Sequence, residues 1–157
     1  MKVKKDSPGV YIPPPLFYVA TFVIAISIQK NVPIADSLFE AQWMNYLGVV
    51  LLLISLFFLI RSLRQFFMTK NTVILIKPAT SLQTDGIYGV TRNPMYVGLS
   101  FVYLGLSCLI GNWWNFLLFP ILFFVIQEYV IKSEERYLTR EFGQDFFNYT
   151  KKVRRWL

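Results

Sequence analysis

The chain has 157 residues, 55% of them apolar and 18% aromatic, with only 16% charged, well below the quarter usual in soluble domains. That balance excludes a disordered chain, a collagen and an ordinary soluble fold, and the length fits a single domain spanning 1–157. The net charge of +7 comes from 16 Lys and Arg against 9 Asp and Glu, and no histidine is present. Ser-His-Asp catalysis, Cys-His catalysis and imidazole metal ligation are therefore excluded. The one cysteine, Cys108, excludes a disulfide or a thiolate metal site within the chain.

Four apolar runs follow in order. A helix rises about 1.5 Å per residue, so roughly 20 residues cross a bilayer core. Leu16–Ile28, preceded by Pro13-Pro14-Pro15, is the shortest and reads either as a span or as an interfacial or re-entrant segment. Tyr46–Ile60, lengthened by Trp43 and Met44, has spanning length. Tyr96–Ile110 gains length from a start at Pro94, and Trp113–Ile131 carries Glu128 as its only acidic residue. Gly111-Asn112 is too short a link for anything but an antiparallel hairpin, and Trp113-Trp114 suits the interfacial belt. Pro120 is expected to kink the fourth helix.

All basic residues except Lys30 fall in alternate segments. These are the tail with Lys2, Lys4 and Lys5, the connector from Arg61 to Arg92 with Lys70 and Lys77, and the tail beyond Ile131. The second segment, with Asp36 and Glu40, holds only Lys30. The positive-inside rule puts the N-terminus, the connector and the C-terminus in the cytoplasm. The expected fold class is all-α: a polytopic membrane helical bundle of about four transmembrane helices, N-in and C-in, with a cytoplasmic amphipathic C-terminal helix. The basic charge is then explained by topology, and no nucleic-acid partner is expected. Leu138, Phe142, Phe146, Tyr149 and Val153 share one face of that last helix. It lies on headgroups or folds back over the bundle mouth, and Gly143 is the point at which it can break.

Two polar patches adjoin the same side. The first, Thr84 to Gly98, is a glycine-rich approach to a helix, with Asn93 as N-cap and Pro94 in the first turn. A helix N-terminus with Arg92 beside it suits a carboxylate, and Tyr88 and Tyr96 offer aromatic faces. The plainer reading is a capped helix start with Arg92 on lipid phosphate. The second patch is Glu134-Glu135, just past the fourth run. Near a helix C-terminus these carboxylates oppose the dipole unless Arg136, Arg140 or a ligand compensates. The plainer reading there is a solvated face. Glu128 either serves a site or pairs with Lys132. No metal site is expected.

Together the patches resemble the isoprenylcysteine carboxyl methyltransferase superfamily, which includes the phospholipid methyltransferases. The resemblance runs from about Pro78 to Leu157, so residues 78–157 form the cofactor-binding half and 1–77 the N-terminal helices and connector. It rests on Thr84, Gly86, Tyr88, Arg92, Asn93, Pro94, Tyr96 and Gly98, then on Glu134, Glu135 and Leu138, then on Phe142, Gly143, Phe146 (or Phe147) and Tyr149. The resemblance implies an integral membrane enzyme using S-adenosyl-L-methionine. Gly86, Tyr88, Arg92, Asn93, Pro94, Tyr96, Gly98, Glu134 and Glu135 are implied at the cofactor, with Arg92 and Glu135 as catalytic candidates. The Glu pair is expected to engage the cofactor's amino group or ribose hydroxyls. The implied acceptor is lipidic or a small molecule embedded in the bilayer.

Two departures bear on the acceptor. Asn93 stands where the family often has His, so this position cannot titrate. Tyr129-Val130-Ile131 stands where eukaryotic isoprenylcysteine enzymes carry an Arg. A nicotinamide-dependent reductase related to the sterol reductases, or a non-enzymatic binding protein on the same fold, are the competing readings. The small size and lack of a targeting segment lean toward a prokaryotic inner membrane.

Overall fold

The computed structural model describes residues 8–34, 41–68 and 81–157. Lys2, Lys4, Lys5, Asp36, Glu40, Lys70 and Lys77, and the division between residues 77 and 78, lie outside them. The described residues are helical and contain no strand. The elements are α1 (Pro14–Asn31), α2 (Gln42–Met68), a 3₁₀ turn (Gly86–Gly89), α3 (Pro94–Ile110), α4 (Trp113–Val125), a π-helical turn (Ile126–Ile131) and α5 (Lys132–Lys152).

All four apolar runs are helices. α1 starts on prolines, whose fixed φ suits a first turn. At its other end Gln29 donates to the Ile34 carbonyl at 2.9 Å and accepts from the Ile34 N–H at 3.3 Å. α2 extends beyond Ile60 through Met68, so Arg61 and Arg64 ride on helix and do not belong to a loop. The reason is that Leu63, Phe66 and Phe67 continue a helix-compatible pattern past the first charge.

α2 lies along α3 in the most extensive helix interface. Its buried residues Met44, Gly48, Ser55, Phe58 and Ser62 form one stripe rich in small side chains. A Cβ on Gly105 would stand 3.0 Å from the Gly48 carbonyl oxygen and 2.9 Å from Leu52 Cγ, and one on Gly98 would stand 2.8 Å from Leu59 Cγ. Small residues here let two backbones approach, the usual device where lipid removes the hydrophobic drive between helices.

α1 packs antiparallel to α4. Trp114 Nε1 donates to the Val32 carbonyl at 2.8 Å near one end, and Phe17 meets Tyr129 edge-on near the other. The α1 residue Tyr18 bonds Ser100 at 3.1 Å, and Phe22 packs edge-on against Tyr103. The first apolar run is thus packed along its length between α3 and α4. Gly111, at φ 68°, closes α3, and Asn112 Oδ1 caps α4 by accepting from Trp114 N at 2.9 Å.

α2 and the continuous run from α4 into α5 are long and apolar enough to cross a membrane, and α3 is a shorter apolar helix. Outward-facing Leu53, Ile60, Ile121 and Phe124 are more than half exposed, as expected of helices that are apolar all round. Pro120 sits inside α4 without ending it. The irregularity falls later, in the π turn at Ile126–Ile131, immediately before the Glu pair.

Candidate active site

The site forms where the 3₁₀ turn, the start of α3, the start of α5 and the last residues of the chain converge. The glycine-rich patch is folded by specific bonds. Gly86 adopts φ 59°, which a side chain would resist. Gln65, on α2, supports this turn by donating to the Asp85 carbonyl at 3.0 Å. The Tyr88 hydroxyl lies 2.9 Å from Ser62 Oγ, and the Tyr88 carbonyl accepts from the Tyr149 hydroxyl at 2.6 Å. Burial raises both tyrosine hydroxyls well above their ordinary pKa. Gly86 and Tyr88 therefore shape the loop and are absent from the lining of the adjoining cleft. Gly98 lies against Leu59 of α2, where its smallness serves helix packing.

Asn93 occupies the N-cap position of α3 but makes no side-chain cap. Its Nδ2 donates instead to the Arg155 carbonyl at 2.9 Å, and Thr91 Oγ1 donates to the same oxygen at 3.2 Å. The Arg92 N–H donates to the Arg154 carbonyl at 2.9 Å. The cap expected of Asn93 is thus traded for a tie to the chain end. Pro94 begins α3 as expected.

Glu134 and Glu135 lie in the first turn of α5, because helix continues from α4 through the π turn without stopping. The expected dipole penalty at a helix C-terminus does not arise. Both carboxylates are partnered. Glu134 Oε1 accepts from the Tyr96 hydroxyl at 2.6 Å. Desolvation raises the Glu134 carboxyl to about 7, with neighbouring Glu135 pushing the same way and the Tyr96 bond opposing both. Glu135 Oε1 accepts from Arg155 Nε at 2.9 Å, Oε2 accepts from Arg155 Nη2 at 2.7 Å, and Arg92 Nη1 stands 3.2 Å from Oε1. Arg92 is therefore ion-paired inside the protein. Its guanidinium side chain is 14% exposed and that of Glu135 18%. Glu128 pairs with Lys132 at 2.7 Å, the local reading of that carboxylate.

A cleft of about 800 Å³ opens beside this cluster. Arg92, Glu135 and Arg155 line it, with Lys132, Arg136 and Arg140 from α5 and the rings of Phe146 and Phe147. Gly143, at φ 48° and ψ −116°, breaks α5 so that its second half turns. Phe146, Tyr149 and Val153 then pack with Leu82, Leu138 and Phe142. Of the two placements open to the amphipathic helix, folding back over the glycine-rich patch is the one observed.

Sequence reasoning missed Arg155 and Trp156. Trp156 stacks on Phe123 at 4.5 Å between ring centroids and donates to Gln127 Oε1 at 3.1 Å. The basic doublet Arg154-Arg155 reads as topology until α5 is seen to end at an extended Val153, with the residues after it tied to Thr91, Arg92 and Asn93.

A yeast relative shares part of this chain. Protein-S-isoprenylcysteine O-methyltransferase of Schizosaccharomyces pombe is 42% identical over 72 residues, 46% of this chain but only 30% of that protein's length. An uncharacterized protein of Haemophilus influenzae is 38% identical over 63 residues, 40% of this chain and 100% of its own length. No solved structure matches. The phospholipid methyltransferase family model matches residues 43–145, more than half of the chain and inclusive of both polar patches. With that match and a helical frame that brings Arg92 and Glu135 into contact, the chain belongs to the phospholipid methyltransferase family.

Proposed function

We propose that this protein is an integral membrane methyltransferase that uses S-adenosyl-L-methionine and methylates a lipidic or bilayer-embedded small molecule, in the manner of the isoprenylcysteine enzymes. In this reading α1 to α4 are four spans, the N-terminus, the α2–α3 connector and α5 face the cytoplasm, and the cleft opens there. The observation that carries it is the meeting of Arg92, from the glycine-rich motif, with Glu135, from the Glu pair, at 3.2 Å on the wall of a cleft. Family membership and the partial likeness to the yeast methyltransferase support the reaction class.

The residues present fit the cofactor chemically. Arg92 lines the cleft and carries a buried Nε with no partner among the described residues, and Glu135 and the rings of Phe146 and Phe147 complete a mixed polar and aromatic wall. These groups would hold it, with Asn93, Pro94, Tyr96 and Glu134 fixing the wall behind them. When bound, the cofactor supplies a methyl group already activated by its sulfonium charge. The protein then has to align and desolvate. Arg92 and Arg155 hold Glu135 in one orientation. Tyr96 keeps one Glu134 oxygen occupied. Trp156, stacked on Phe123 and bonded to Gln127, anchors the segment that carries Arg155. An anionic acceptor needs no general base, which suits a chain without histidine.

Calorimetry of S-adenosylhomocysteine with detergent-purified protein tests this. Micromolar binding is expected for the wild type, with at least a tenfold loss in Arg92→Ala and in Glu135→Gln. Equal binding by Glu135→Gln and wild type would remove Glu135 from the pocket. No binding by folded wild type would favour the reductase or non-enzymatic readings.

A further inference from the structure

Glu135 accepts two hydrogen bonds from Arg155 and is ion-paired with Arg92, leaving little of the carboxylate for a ligand. Arg155 grips it through Nε and Nη2 in a forked pair, and Arg92 approaches the same Oε1 from the loop before α3. Two cations on one anion leave a net positive cluster. The cluster is largely withdrawn from water, with side-chain exposures of 14% for Arg92, 18% for Glu135 and 33% for Arg155. Arg92 also brings the buried, unpartnered Nε. Burying such a donor without a partner is unfavourable, and an anionic ligand group near it would relieve that cost.

The surroundings have the same sign. Lys132, Arg136 and Arg140 recur every fourth residue of α5 and line the same cleft, whose one lining carboxylate is Glu135. Topology explains basic residues on one side of a membrane; it does not explain three of them on the one helix face that borders a cavity.

Arg155 is fixed there by its own backbone. Its carbonyl accepts from Asn93 and Thr91, the Arg154 carbonyl accepts from the Arg92 N–H, and Trp156 anchors the next residue on Phe123 and Gln127. The segment lies beyond residue 145, where the family match ends.

We propose that Arg92 and Arg155, joined through Glu135, form a two-armed clamp for one carboxylate or phosphate group of a ligand. For this group Glu135 is a positioning residue: it orients both guanidinium groups and does not itself contact the anion. The anion comes either from the cofactor's amino-acid carboxylate or from an anionic lipid. The first source rests on the methyltransferase reading; the second does not.

The experiment has two arms, both on full-length protein. In the first, S-adenosylhomocysteine and its decarboxylated analogue are titrated into wild type, Arg155→Gln, Arg155→Lys and Glu135→Gln, with thermal unfolding as the folding control. In the second, the same variants are placed in phosphatidylcholine nanodiscs and titrated with phosphatidylglycerol. A preference of tenfold or more for the carboxylated ligand, erased in Arg155→Gln and Glu135→Gln and partly kept in Arg155→Lys, supports the clamp with the cofactor as source. No such preference, but phosphatidylglycerol binding weakened at least fivefold in Arg155→Gln, supports it with lipid as source. A folded Arg155→Gln that behaves as wild type in both arms overturns the clamp. If wild type binds neither adenosyl compound, the methyltransferase reading fails, and the lipid arm alone decides the clamp. A merely structural role for Arg155 lowers unfolding temperature without altering the ratio between carboxylated and decarboxylated ligands.

Discussion

Glu134 and Glu135 are adjacent in sequence and yet have opposite environments. Glu135 faces two guanidinium groups, whereas Glu134 faces the Tyr96 hydroxyl in a desolvated niche. This difference has a pH signature. The folded Glu134 carboxyl holds its proton up to about pH 7, against 4.5 for the ordinary group. Between those values the folded state binds more protons than the unfolded state, so its contribution to stability falls as pH rises. The unfolding midpoint of detergent-solubilised protein is expected to decline across that window. Glu134→Gln should flatten the decline when compared with wild type under the same conditions. Tyr96→Phe removes the bond that opposes the shift and should extend the decline to higher pH. An unchanged profile in Glu134→Gln would place the titration elsewhere. None of this was readable from the Glu-Glu doublet, because environment, not residue type, separates the two carboxyls.

At the scale of elements, the helices were legible and their contacts were not. Pro14, Pro94 and the Gly111-Asn112 turn marked three helix boundaries in the sequence, and the structure keeps all of them. The far end of α2 and the π turn between α4 and α5 were not marked. Charged residues there interrupt hydrophobicity without interrupting helix, and hydrophobic runs track burial or lipid, not backbone hydrogen bonding. Packing of α2 on α3 depends on Gly48 and Gly105, whose backbones leave no room for a Cβ. Gly105→Val is expected to destabilise the protein by about 1–3 kcal/mol, read as a lowered unfolding midpoint. Gly89→Ala, whose Cβ would meet only the Thr84 carbonyl at 3.4 Å, should change little. Gly143 is a different case. Nothing lies within 4 Å of its Cβ position, but its φ of 48° is unfavourable for other residues. Gly143→Ala should cost about 1–3 kcal/mol through backbone strain, and it should weaken S-adenosylhomocysteine binding because the second half of α5 no longer turns under the cleft. Retained binding in Gly143→Ala would separate the break from the site.

For the whole molecule, the charge pattern makes a topological prediction. In a Cys108→Ala background, an impermeant thiol reagent applied to intact cells should label Ile110→Cys, at the exposed end of α3, and spare Thr139→Cys on α5 until the membrane is broken. The reverse pattern would invert the proposed orientation.

Composition and apolar run length determined a helical chain with helices long and apolar enough to cross a bilayer, and its two polar patches resemble those of one methyltransferase superfamily. These are properties that each residue contributes locally, through hydropathy, through proline and glycine backbone preferences, or through a fixed spacing. The tertiary structure decided what the patches do to each other. It placed Arg92 on Glu135, moved Asn93 from a cap to a tie, sent Gly98 into helix packing, and brought Arg155 and Trp156 back to the site. Such pairings are long-range: they depend on the end of α5 at Val153 and on a glycine break at Gly143, and nothing in the neighbouring residues encodes which distant charge will be met.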